Sequence, residues 1–246
     1  MASLKNTVRG VCLVTGASSG IGAAITETLV AGGWKVVAAA RRAGRLTALR
    51  AQLGPRCLPI ELDVTEPASV STLIEHLPED WRGIDVLINN AGHDIGGRNT
   101  FDSRPVEDWL STIETNVAGM IRVTHAVIPI MLERRDGHVV NIGSNAGTAA
   151  YAGGTAYVAS KFAVSGFSKA LRLDYLGRIR VTQILPGLVR TEFAEVRNSG
   201  DKKKAAAFYA SYAECLHPED VANCVAFALD QPSHVNIAEL LVLPSK

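Results

Sequence analysis

The chain has 246 residues, 47% of them hydrophobic and 20% charged, which supplies a sizeable core and is too apolar for a disordered chain. Its 25 Lys and Arg against 24 Asp and Glu leave a formal charge of +1, which argues against a strongly basic nucleic-acid-binding surface and against an acidic tail. The length permits one large α/β domain or two small ones.

From the N-terminus, residues 1–10 contain no long apolar signal region. Short apolar runs then recur at 11–15, 35–40, 57–62, 84–89, 138–142, 180–185 and 238–243, and the longer segments between them read as helices. Alternation of this kind predicts an α/β fold: a single doubly wound Rossmann domain over residues 1–246, with a predominantly parallel seven-stranded sheet and helices on both faces. No polar linker divides it. Within residues 106–134, a long predicted helix, Pro129 is expected to end or kink the last turns. A second helix is predicted over 156–176, and 190–216 is the least regular stretch, read as a lid. Cys12, Cys57, Cys215 and Cys224 have no C-x-x-C spacing, and the first two fall in strand-like runs, so reduced thiols are expected. The uncharged run 139–160 is long enough for a bilayer, but its Gly, Ser, Thr and Asn make it a poor span. A soluble, cytoplasmic protein with no membrane partner is the expectation.

The first strand runs into Thr15-Gly16-Ala17-Ser18-Ser19-Gly20-Ile21-Gly22 and then a helix-forming sequence. Glycines there permit a tight turn and close phosphate approach, while free backbone N–H groups and the helix dipole stabilise a diphosphate, so Gly16, Ser18, Ser19, Gly20 and Ile21 are candidate dinucleotide contacts. Gly22 is read as allowing close helix packing. After the second strand, where a carboxylate would favour NAD, stand Arg41 and Arg42, with Arg45 nearby. Guanidinium groups pair with the extra phosphate of NADP, so NADP is the expected cofactor. Asp63 is read either as a bond to the adenine amino group or as a helix cap, and Val64 as part of the adenine wall. Asn89-Asn90-Ala91-Gly92 ends the fourth strand, and the small residues with Asn90 are assigned to the wall near the cofactor ribose.

Tyr157 and Lys161 form Y-x-x-x-K on the second helix, one turn apart on one face. The cation favours phenolate, so Lys161 is expected to lower the Tyr157 pKa toward neutral. Ser144, at the end of the fifth strand, is a candidate to bond a substrate carbonyl, with a local cap as its other reading. No G-x-S-x-G elbow accompanies it. Asn116 is an amide inside the long helix, read as organising proton relay to Lys161 or as making a local bond.

Taken together, these motifs resemble the short-chain dehydrogenase/reductase family across nearly the whole chain, with Asn116, Ser144, Tyr157 and Lys161 matching its catalytic tetrad. The resemblance implies that Pro186, Gly187, Val189 and Thr191, in the loop after the sixth strand, contact the cofactor, with Val189 backbone groups and Thr191 holding the nicotinamide carboxamide, and it implies a homotetramer or a dimer. A narrower resemblance, carried by Ala40-Arg41-Arg42, Asn141-Ile142-Gly143-Ser144, Tyr151-Ala152-Gly153-Gly154 and Pro232 to Ile237, is to the NADP-dependent 3-hydroxy-acid branch that includes serine and L-allo-threonine dehydrogenases. It implies reversible hydride transfer to or from a small polar alcohol or carbonyl. Sulfoacetaldehyde reductases and broader carbonyl reductases look similar in these stretches, and a non-catalytic NADP sensor is the reading from another class. Here His93-Asp94 follows the Asn-Asn-Ala-Gly motif where the branch often has less polar residues. His93, Asp94, Arg190 and Tyr151 are the substrate candidates beside Ser144 and Tyr157, with Arg98 a weaker one, and no metal cluster is expected.

Overall fold

A computed structural model describes residues 8–134 and 136–246. Its seven strands are β1 (Val11–Thr15), β2 (Lys35–Ala40), β3 (Cys57–Glu61), β4 (Ile84–Asn89), β5 (Gly137–Ile142), β6 (Ile179–Pro186) and β7 (Glu239–Val242). All pair in parallel in the order β3-β2-β1-β4-β5-β6-β7. The predicted doubly wound sheet is therefore observed. The chain leaves β1 in one direction and returns to its other side as β4, so the loops after these two strands diverge and open a crevice at the C-terminal edge.

Strand alternation sorts the side chains into two cores. Cys12, Val14, Val36 and Ile88 face one way and pack with Ile25 and Leu29 of α1 (Gly20–Ala31), Leu46 of α2 (Ala43–Leu53) and Val225 of α9 (Pro218–Leu229). Leu13, Val37, Leu87 and Val139 face the other and meet Val70 of α3 (Pro67–Ser71), Val127 and Met131 of α5 (Met120–Arg134) and Leu171 of α6 (Thr155–Asp174). Both faces are covered, which is why the inner strands read as continuous apolar runs.

The long helix does not end at Pro129, and its irregular turn lies upstream. It comprises α4 (Val106–Ile113), a π-helical turn over Glu114–Gly119, and α5, which continues past Pro129 to Arg134. Pro129 removes the hydrogen bond to the carbonyl of His125, and both residues lie on the exposed side, where that carbonyl is open to solvent. The π turn instead carries Asn116, and its last residue, Gly119, lies so close to Val64 that a Cβ would come within 2.7 Å of Val64 Cγ2. Residues 190–216 contain α7 (Phe193–Arg197) and α8 (Lys202–Ala210), tied at the base by a parallel bridge between Val189 and Leu216.

One buried titratable group belongs to this scaffold. His138 in β5 meets the Thr182 hydroxyl at 2.8 Å through Nε2, and that hydroxyl donates to the Ile237 carbonyl at 2.6 Å. Thr182 must therefore accept, so Nε2 carries the proton, while Nδ1 is buried with no partner among the described residues. Protonating Nδ1 would bury an uncompensated charge, and burial pushes the pKa down to about 3. Because the folded value lies below the unfolded one, the stability this neutral histidine contributes is full above pH ~6.5 and is lost as pH falls toward the folded value, by at most about 1.4 kcal/mol per unit. Thermal unfolding followed by circular dichroism is expected to show a falling midpoint from pH ~6.5 to 4. In His138→Gln, which keeps a donor toward Thr182, that slope should flatten.

Candidate active site

The crevice beyond β1 and β4 is a cleft of about 890 Å³ that runs from Arg41 and Arg42 at one end to Ser144 and Tyr157 at the other. Each residue assigned from sequence to the cofactor lines this cleft: the phosphate-turn set, Asp63 and Val64, Asn90 to Gly92, and the Pro186 to Thr191 group. The phosphate turn is tight for a steric reason. A Cβ on Gly22 would strike the Gly16 carbonyl, and one on Gly16, at φ +67°, would come within 2.9 Å of Ala91 Cα. Ser19, at the start of α1, makes no capping bond with its side chain among the described residues. The helix thus presents backbone N–H groups with no side-chain cap toward the cleft, an arrangement that fits a diphosphate.

At the other end, Ser144 follows β5 and accepts from Ala146 N at 3.1 Å, so it makes the local cap that was one of its readings, and it also lines the cleft. Tyr157 and Lys161 project from the first turns of α6, with the ammonium 5.6 Å from the Tyr157 ring centroid. Lys161 Nζ donates to the Ile142 carbonyl at 3.0 Å, and burial brings its pKa down to about 8. The phenol itself departs from expectation. Burial pushes its pKa above the ordinary value, while hydrogen bonding to Ser144 and the charge of Arg197 pull the other way. Here the cation that opposes the burial is Arg197.

Asn116 acts through His93. Its Oδ1 accepts from His93 N and its Nδ2 donates to His93 O, each at 2.9 Å, and Nδ2 also donates to Ser160 Oγ at 3.0 Å. One amide therefore fixes the cleft wall after β4 against α6, with the π turn displacing it toward that wall. The His93 ring lines the cleft with Nε2 2.9 Å from Thr115 Oγ1. Burial, helped by the charge of Arg41, pushes its pKa down to about 4, so it is neutral at pH 7.

Two of the substrate candidates are placed elsewhere. Arg190 is exposed and lies over the Tyr209 ring at 5.4 Å, outside the cleft. Its backbone is pinned by Arg190 N donating to Leu216 O at 2.8 Å, which turns the side chain outward. Asp94 is buried at 2% exposure and does not line the cleft; its carboxylate accepts from Arg197 Nε at 2.7 Å. Arg197 of α7 is the basic side chain the sequence reading missed. It lines the cleft with Tyr157, its guanidinium carbon is 5.6 Å from the Tyr157 ring centroid, and Nη2 is 3.4 Å from the Tyr151 hydroxyl. Nη1 has no hydrogen-bond partner among the described residues. Tyr151 lines the cleft as expected, with Arg98 stacked on its ring at 5.0 Å. Nothing local in the sequence signals Arg197; its role follows from the burial of Asp94, a carboxylate that needs a cation once it leaves water.

The model of the family described as short chain dehydrogenase matches residues 10–202. The chain is 45% identical over 236 residues to the NADP-dependent 3-hydroxy acid dehydrogenase YdfG of Salmonella typhi, covering 95% of this chain and 94% of that protein. It is 41% identical over 239 residues to the NADP-dependent 3-hydroxy acid dehydrogenase of Schizosaccharomyces pombe, covering 95% and 92%. Among solved structures, the closed form of a serine dehydrogenase complexed with NADP+ superposes with a TM-score of 0.92 at 44% identity, covering 95% of this chain and 94% of that one. With its parallel sheet, its glycine-lined turn and its Ser144, Tyr157 and Lys161 around one cleft, the chain belongs to the short-chain dehydrogenase family.

Proposed function

We propose that the protein is an NADP-dependent oxidoreductase that reversibly oxidises a small polar alcohol, and that its substrate is a 3-hydroxy acid. Arg197 carries the substrate assignment: a buried guanidinium held by Asp94, with Nη1 free to take a carboxylate beside the phenol of Tyr157. Arg41 and Arg42 line the adenosine end and support NADP, as does the similarity to NADP-dependent dehydrogenases. When bound, the nicotinamide supplies or accepts the hydride.

The chain's own residues do the rest. A carboxylate on Arg197 and a hydroxyl or carbonyl oxygen on Ser144 fix the substrate at two points and orient the carbon between them. In reduction the Tyr157 hydroxyl gives its proton to the substrate oxygen, and in oxidation the phenolate takes it back. Lys161, with its pKa about 8 and its ammonium 5.6 Å from the Tyr157 ring centroid, is assigned to the nicotinamide ribose. Asn116 is a positioning residue that holds His93 and Ser160 in register. Phe193 packs on the Tyr157 ring at 5.5 Å and shields the phenol from solvent, which supports α7 and α8 acting as a lid.

We also propose a symmetric homotetramer, or a dimer, formed through the outer faces of α4 and α6. Leu110 and Leu173, 58% and 73% exposed, lie there and support such packing. Free cysteines support a reducing compartment, and the cytoplasm is the proposed location. Light scattering at dilute concentration checks the assembly: a mass of two or four chains is expected, and an active monomer would exclude it.

Two substitutions test the chemistry. Tyr157→Phe keeps the ring packing and removes the proton, so stopped-flow hydride transfer should fall by about 10²- to 10⁴-fold with NADPH binding retained. A wild-type rate across the pH range would exclude the Tyr157 role. Replacing Arg197→Gln together with Asp94→Asn avoids a stranded carboxylate; kcat/KM for 3-hydroxy acids should then fall at least about tenfold, with an uncharged alcohol of equal length much less affected. Equal losses for both substrates would remove Arg197 from carboxylate recognition.

A further inference from the structure

Glu192 stands between Thr191 and α7, and its carboxylate crosses the cleft to the arginines after β2. Oε2 accepts from Arg42 Nη1 at 3.0 Å and Oε1 accepts from Arg45 Nη1 at 2.6 Å. Arg42 is simultaneously fixed on the phosphate turn, donating from Nε to Ser18 Oγ at 3.0 Å and from Nη2 to Ser19 Oγ. Partial burial raises the Glu192 pKa, but the bonds from Arg42 and Arg45 outweigh it and leave the carboxyl below its ordinary value, hence ionised at neutral pH. An anion from the lid therefore already sits on two arginines beside the phosphate turn.

The segment around it touches the rest of the cleft. Thr191 lies against the start of α1, with its Cβ 3.2 Å from where a Gly20 Cβ would be, and Phe193 lies on Tyr157. Holding Glu192 on Arg42 and Arg45 thus holds the first turn of the lid across the dinucleotide path.

We propose that Glu192 is an internal rival of the cofactor's 2′-phosphate: it occupies the Arg42–Arg45 pair in the free protein, must yield it when NADPH binds, and so couples arrival of that phosphate to release of the lid's first turn. The inference rests on the NADP assignment above. A phosphomonoester carries about −1.5 to −2 charge, so it cannot share two guanidinium groups with a carboxylate without repulsion. A cofactor with a 2′-hydroxyl brings no charge there and can leave the ion pairs in place. Glu192 therefore weakens NADPH binding selectively and narrows the cofactor preference set by Arg41 and Arg42. Both Arg42 and Arg45 are about half exposed, with side-chain exposures of 45% and 48%, so the effect is bounded by the modest strength of solvated ion pairs.

Glu192→Gln keeps the size and removes the charge. Calorimetric titration should give about three- to tenfold tighter binding of NADPH and of adenosine 2′,5′-bisphosphate, with NADH changed by less than about twofold. The gain should shrink at high salt and should be absent when Glu192→Gln is made on an Arg42→Ala background. Amide exchange across 191–197 should rise when adenosine 2′,5′-bisphosphate, which lacks the nicotinamide, is added to wild type, and should already be raised in Glu192→Gln. Unchanged or weaker NADPH binding by Glu192→Gln, or equal gains for NADH, would overturn the rivalry, and unmoved exchange would overturn its link to the lid. Failure of the NADP assignment would look different: wild type itself would bind NADH more tightly than NADPH.

Discussion

Beyond the ends of β1 and β4 no ladder joins the two loops, and the bonds that replace it come from Thr15 and Asn90. Thr15 Oγ1 accepts from Asn90 N and Ala91 N at 3.0 and 3.1 Å, and Asn90 Nδ2 donates to the Thr15 and Gly16 carbonyls at 2.9 and 3.3 Å. The strands diverge here because the sheet changes direction of winding, which is also what makes the crevice. Without these bonds, backbone groups at the mouth of the cleft would be left unpaired and the glycine turn would have no fixed distance from the wall opposite. The phosphate turn and the Asn-Asn-Ala-Gly loop are therefore one structure, although nothing in their separate motifs says that they touch.

A second set of buried polar bonds carries the chemistry from the sheet to α6. Asn89 Nδ2 donates to Thr124 Oγ1 and to Asn141 Oδ1, and Asn141 Nδ2 donates to Ser168 Oγ at 2.8 Å. Gln183 Nε2 reaches Ser165 Oγ at 2.8 Å, and Asn116 reaches Ser160. Ser160, Ser165 and Ser168 lie on the side of α6 that faces the sheet and the π turn, so the helix is held in register by directional contacts as well as by packing. Apolar contact alone tolerates sliding by fractions of a turn, whereas amide-to-hydroxyl pairs in a dry interior do not. Tyr157 and Lys161 gain their position relative to Ser144 from these serines.

Sequence carried much of this because parallel strands buried on both faces leave unbroken apolar runs, and Thr15 and Asn89 at strand ends, with Ser144 just after β5, mark where polar chemistry begins. What it misplaced depended on contacts distant in the chain. Pro129 reads as a helix breaker in any local rule, and only its exposure shows that the freed carbonyl is open to solvent. Arg190 follows a strand that points at the active site, but the bridge of Val189 to Leu216 turns it outward, and the cation arrives from seven residues further along. Asp94 looked like a substrate contact because a charged residue beside a cofactor motif invites that reading, whereas its partner is 103 residues away. Lys161 is near Tyr157 as the spacing required, but the phenol's own burial raises its pKa against the simple charge argument.

In the lid proposed above, Glu192 and Arg197 would set an order of events. They bracket α7, carry opposite charges and engage opposite ends of the cleft, with Phe193 on the reacting phenol between them. Arg197 is buried and tied to Asp94, so separating it from its partner is costly. The Glu192 pairs are half exposed and salt-screened, so they part cheaply. A short helix anchored strongly at one end and weakly at the other pivots about the strong end, so the weak end is the one that moves. The proposed lid would therefore open at the adenosine end of the cleft before the substrate end, leaving Arg197 beside Tyr157 while the dinucleotide enters.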